Sequence, residues 1–148
     1  MGIFAEDLIN FGNLMEATID FPINQKELEN ILGVPVYLEP HVMDLVVKKK
    51  FLAFSKDYKI RLKEGEYFIN DRKAGKRAIG FDILLEKDTE LLPDAFEVIE
   101  GKPYINFWPY IKASELYTKV PNQFKERVII KDYEIKSGNL VLKLGVQK

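Results

Sequence analysis

His41 is the only histidine in the chain, there is no cysteine, and the only serines are Ser55, Ser114 and Ser137. An imidazole can act as a general base near neutral pH, but it needs a nucleophile to activate. None of the spacings that build such a pair surrounds His41, which sits between Pro40 and Val42 near a turn. A structural role is its default. The carboxylates Asp82, Glu86 and Asp88 could hold a hard cation, yet they lack the loop spacing of a calcium site and read as solvated strand ends. Paired acids serve a glycosidase only at a separation that a sequence does not give. There is no Walker-type loop and no Rossmann glycine pattern. The expectation is a non-enzymatic protein with no cofactor and no metal.

Charge carries more information. Between Lys48 and Arg77 stand eleven Lys or Arg against four Asp or Glu, a local balance of +7, so the remainder of this chain of net charge −1 carries −8. A polarised chain often meets an anionic partner: phospholipid head groups, an acidic protein or nucleic acid. The candidate contacts are Lys48, Lys50, Lys59, Arg61, Lys63, Arg72, Lys73, Lys76 and Arg77. The plainer alternative is a solvated basic strand face balanced by acidic helices.

The elements that must position these residues follow from apolar periodicity. Tyr133 and Ile135 alternate with Glu134 and Lys136, a Ser137-Gly138 turn follows, and Leu140, Leu142, Leu144 and Val146 resume one face. That is a β-hairpin. The pattern repeats upstream: Tyr58, Ile60 and Leu62 lead through Glu64-Gly65 into Tyr67 and Ile69, and Phe96 and Val98 lead through Glu100-Gly101 into Tyr104 and Ile105. Arg77 to Glu86 alternates with Ile79, Phe81, Ile83 and Leu85 on one face, and Val42 to Ser55 reads as one strand, or two with a bulge. Asp71 to Lys76 is an exposed turn. Phe4, Leu8, Phe11, Met15 and Thr18 define an amphipathic helix over about 4–18. Phe21-Pro22 ends it, and Asn24 with Glu27 has capping-box spacing for a second, short helix stopped by Gly33 and Pro35. Pro109 starts a third, to about Lys119.

At 148 residues and 47% apolar, this is one domain, 1–148, of α+β class: a curved antiparallel sheet of hairpins covered by an N-terminal helix pair and by one helix before the C-terminal hairpin. No stretch approaches the roughly twenty apolar residues of a membrane span, and no signal peptide is visible. The compartment stays open: cytoplasmic as the sequence is written, or the cell envelope if an anchor has been lost ahead of Met1.

Two binding modes follow. In the first, helices and sheet enclose an apolar groove walled by Phe96, Tyr104, Phe107 and Trp108, and the basic region meets anionic head groups. This mode expects Trp108 fluorescence to respond to lipid. In the second, the basic strands with Phe51, Phe54, Tyr58, Tyr67 and Phe68 bind nucleic acid. Tyr58 and Tyr67 fall on the core faces and the overall balance is acidic, so nucleic acid ranks last. A solid core with an exposed apolar patch would instead mark a protein–protein adaptor.

Two stretches, Ile23 to Leu28 and Tyr110 to Leu144 with its helix, Pro-containing connector and hairpin, resemble small bacterial proteins of the tubular lipid-binding (TULIP/SMP-like) superfamily. The resemblance implies a strongly curved sheet wrapped on a long helix and an elongated apolar groove for lipid, often in the envelope or at a membrane contact. It carries no catalytic residues. The chain departs from that pattern in its short, Pro-interrupted closing helix.

Overall fold

The structure is a computed structural model that describes residues 18–85 and 89–147. The expected 4–18 helix and the Glu86–Asp88 carboxylates lie outside those residues. Strand β1 (Ile19–Asn24) leads into helix α1 (Gln25–Leu32), then β2 (Val36–Glu39), β3 (Val42–Lys50), β4 (Ser55–Asp71) and β5 (Lys76–Leu85). After a 3-10 turn at Thr89–Leu91 come β6 (Phe96–Ile99), β7 (Lys102–Asn106), three short helices α2 (Trp108–Lys112), α3 (Glu115–Thr118) and α4 (Asn122–Lys125), and finally β8 (Val128–Lys136) and β9 (Asn139–Val146).

The α+β expectation holds, with the strands divided between two antiparallel sheets. One has the order β1-β9-β8 and the other β2-β3-β4-β5-β7-β6, and they do not close into a barrel. The period of two sets the inward faces. Ile60 and Leu62 of β4, Ile79 and Phe81 of β5, Tyr133 and Ile135 of β8, and Leu140 and Leu142 of β9 are all buried in one core.

The sheets are stitched along β8. Asn70 accepts from the Ile130 N–H at 3.0 Å and donates to its carbonyl at 2.9 Å. Glu64 accepts from Ile135 N–H at 2.7 Å, and the backbone bonds His41 N to Ile135 O and Gly138 N to Leu38 O complete the seam. Tyr133 reaches across it: its hydroxyl donates to the Gly80 carbonyl at 2.5 Å and accepts from Gly65 N–H at 2.8 Å.

Helix α1 is capped as its spacing requires. The Asn24 side chain accepts from Glu27 N–H at 2.8 Å, Glu27 accepts from Asn24 N–H, and Gly33 closes the helix at φ 72°.

Three expectations are corrected. Phe21-Pro22 does not end a helix but lies within β1, an edge strand where the missing proline N–H costs no ladder bond. Glu64-Gly65 is not a hairpin turn: β4 runs straight through it for 17 residues, and the register slips there as a bulge. The closing helix is three helices, because Ser114 takes extended backbone to cap α3 and Pro121 interrupts before α4.

Candidate functional site

The expected wall residues sit in different surroundings. Phe107 and Trp108 are buried in the core, with Trp108 only 4% exposed between the Arg77 guanidinium at 4.1 Å and the Tyr117 ring at 5.5 Å. Its fluorescence is therefore placed to report packing rather than surface contact. Phe96 packs edge-on against Phe81. Tyr104 lies on the opposite strand face from Ile105, its ring covering Gly80, where a Cβ would sit 2.7 Å from it. The apolar space between Ile19, Leu116, Val120, Val128, Leu144 and Val146 measures about 20 Å³, room for about one water and not for a lipid chain.

The cations do not form one face either. Lys48 and Lys50 stand at one end of β4's partner strand, while Arg72 and Lys73 sit in the turn beyond β4's other end. A strand of 17 residues puts those ends roughly 50 Å apart along its length. Between them, Arg61 grips Asp44 through two bonds of 2.8 and 3.1 Å, and Lys59 approaches the same carboxylate at 3.4 Å. The Arg61 bond, opposed by burial, holds the Asp44 carboxyl below the usual carboxylate range. Lys63 is exposed, and Lys76 pairs with Glu97 at 2.9 Å.

Arg77 is the clear correction. Expected at the surface, it is 0% exposed and donates to the carbonyls of Val128, Glu126 and Lys76 at 2.6, 2.9 and 3.1 Å. Burial pushes its pKa down, yet an arginine stays charged. Its role is to tie the start of β5 to the start of β8.

What remains is the β3–β4 ribbon. The bond from Val46 N–H to the Pro35 carbonyl is the last from the β2 side, and the Arg61–Leu85 pair is the last with β5. From Lys48 to Asp57, among the described residues, the two strands pair only with each other. The ribbon closes through Phe51 N–H to the Phe54 carbonyl at 2.7 Å, around Leu52 and Ala53. Neither apex residue has the positive φ found at Gly101 and Gly138, and neither is a turn former. Leu52 is fully exposed, Phe54 is 62% and Phe51 41% exposed, and the two rings stack at 4.8 Å. Behind them stand Lys48, Lys49, Lys50 and Lys56, all exposed and, among the described residues, in no ion pair.

An apolar apex on a cationic collar is thus the feature that neither turn chemistry nor core packing accounts for. Neither one strand over Val42 to Ser55 nor two with a bulge matches it, since β3 ends at Lys50 and a turn at Leu52-Ala53 leads into β4. The available signal was the near-symmetry of KKK-FLAF-SK about Leu52-Ala53.

His41, at φ 71° and exposed, touches Glu64 at 2.5 Å, and among the described residues no serine, threonine or lysine is bonded to it. Among those residues, too, no three His, Asp or Glu side chains converge to hold a metal ion. No family model matches the chain, and neither does a curated protein or a solved structure.

Proposed function

We propose that the protein is a non-enzymatic module that docks on anionic lipid surfaces through the tip of the β3–β4 ribbon. The observation that carries this reading is the exposed Phe51-Leu52-Ala53-Phe54 apex framed by four lysines that enter no ion pair among the described residues. An element that enters the interfacial zone of a bilayer buries its apolar edge about 5–10 Å deep, with cations left at head-group level. Two residues of strand span roughly 7 Å, which is the separation from the Phe51 ring position back to Lys49. Each lysine near an anionic surface contributes about 1 kcal/mol. Four of them, with partial burial of three apolar side chains, support reversible binding in the micromolar range, about −8 kcal/mol. No helix among the described residues is long and apolar enough to cross a membrane, so contact would be peripheral.

The test is co-sedimentation with phosphatidylcholine vesicles containing or lacking phosphatidylserine, with Leu52→Trp as a fluorescent reporter. Wild type pellets with the anionic vesicles only, salt releases it, and emission from the introduced indole shifts to the blue on binding. No pelleting with strongly anionic vesicles at low salt would sink the reading.

A second reading is favoured by the exposed apolar apex itself: the same tip serves a protein–protein adaptor, entering an apolar pocket rimmed by acids. Its patch is small beside the roughly 800 Å² per partner of a stable interface, which places it second. Vesicle binding separates the two.

A further inference from the structure

The register sets Lys49 directly opposite Lys56. Phe51 and Phe54 form a hydrogen-bonded pair. Pairs alternate along an antiparallel ladder, so the lysine pair two residues back is of the same kind, with Cα atoms roughly 5.5 Å apart and side chains on one face. From the tip inward that face carries Phe51 with Phe54, Lys49 with Lys56, and Val47 with Tyr58. The ribbon's nearest acid, Asp57, is opposite Lys48 and belongs to the other face. Like charges directly opposite one another weaken a strand pair, and among the described residues no third strand offsets the cost here. The Lys56 ammonium stands 4.9 Å over the Tyr58 ring, while the stacked phenylalanines wall the side toward the tip.

Two lysines directly opposite one another on one face, with Tyr58 on the body side and the stacked phenylalanines toward the tip, fit an oxyanion bearing more than one charge. We propose that Lys49 and Lys56 clamp a phosphomonoester dianion, and that its source on the bilayer is a lipid head group ending in a phosphate monoester. The inference rests on the docking reading above and adds head-group selectivity to it. The depth agrees: with the apex rings in the interfacial zone, the clamp sits about 7 Å behind them, at the level of the lipid phosphates. Lys48 and Lys50, on the opposite face, supply charge without a matching opposed pair, since they face Asp57 and Ser55.

The experiment compares vesicles of phosphatidylcholine with phosphatidic acid against vesicles with phosphatidylglycerol, adjusted to equal zeta potential. Wild type prefers phosphatidic acid by about tenfold, the scale of one charge-assisted hydrogen bond. Lys49→Gln/Lys56→Gln binds both equally. Lys48→Gln/Lys50→Gln, which removes the same charge from the other face, weakens both alike and keeps the preference. Equal wild-type binding to the two vesicles, or equal loss of preference in both double variants, overturns the clamp and leaves the docking reading intact. Binding to neither vesicle overturns both. Micromolar capture of inorganic phosphate without vesicles would make free phosphate the occupant and overturn the lipid source.

Discussion

Arg77 shows how one side chain can hold several segments without taking part in binding. Its guanidinium donates to carbonyls at the start of β5, at the end of α4 and at the start of β8, and stacks on Trp108. A planar fork of donors spans such a set, and a single ammonium does not. Arg77→Lys therefore behaves like Arg77→Met: each strands buried carbonyls and lowers stability by on the order of 3 kcal/mol, read as a lower urea midpoint at unchanged slope. A lysine variant within experimental error of wild type would show that charge, not the fork, is what matters. The burial was legible in the chain. Arg77 shares the parity of Ile79 and Phe81, so the alternation that marked the inward face of β5 included it. The general habit of arginine to be exposed outweighed that signal. Tyr133 is the converse case: its parity with Ile135 placed it inward, but nothing local announced that its hydroxyl would bridge Gly65 and Gly80. Those partners lie more than fifty residues away in sequence.

Among the elements, β4 and the ribbon carry the lesson. The inward faces of β5, β8 and β9, the α1 cap and the turns at Gly101 and Gly138 followed from period and turn chemistry, because those signals are local. The bulge at Gly65 did not, and beyond it Phe68 rather than Tyr67 and Ile69 packs on the core. Nor did the place of Val98, which is exposed. Glu64-Gly65 looks like Glu100-Gly101, yet Gly101 has φ 79° while Gly65 does not enter the left-handed region. What Gly65 supplies is room: a Cβ there would lie 2.4 Å from the Tyr67 ring. Whether a glycine turns the chain or lets a ring pass depends on the neighbouring strand. The same holds for the site. Alternation gave each lysine a face, but only the register sets Lys49 against Lys56 and makes Leu52 an apex. Because the apex touches no core residue among those described, fold and binding should separate there. Replacing Leu52-Ala53 with Asn-Gly supplies a favoured two-residue turn and changes stability by no more than about 0.5 kcal/mol. Vesicle affinity falls several-fold in the same protein. A matching loss of thermal stability would mean that the apex packs against something and is not a free contact surface.

Taken whole, the molecule is electrically lopsided. From Lys48 to Asp57 the ribbon carries four lysines against one aspartate, a balance of +3 that leaves −4 for the rest of this chain of net charge −1, so an anionic surface attracts the ribbon and repels much of the body, which favours a tip-first approach. Stability, in contrast, depends on groups far from the tip, and pH resolves the two. Bonds from Arg61 and Lys102 hold the carboxyls of Asp44 and Asp82 below their ordinary values. A depressed carboxylate stabilises above its unfolded pKa, near 3.9, and that contribution is lost as pH falls through the folded value. At the other end, burial raises the hydroxyls of Tyr133, Tyr117 and Tyr110, the last to about 12 with help from Glu27, to which it donates. In the unfolded chain a tyrosine ionises near 10. A raised group contributes fully below that pH, and its contribution is lost as pH climbs toward the folded value. The melting temperature should thus be level from about pH 5 to 9, fall in acid below about 4, and fall in alkali above about 10. Tyr110→Phe removes one of the three ionisations, so its alkaline limb is shallower than wild type between pH 10 and 12. Parallel alkaline limbs in the two proteins would show that Tyr110 titrates freely and that its contact with Glu27 does not hold α1 to α2.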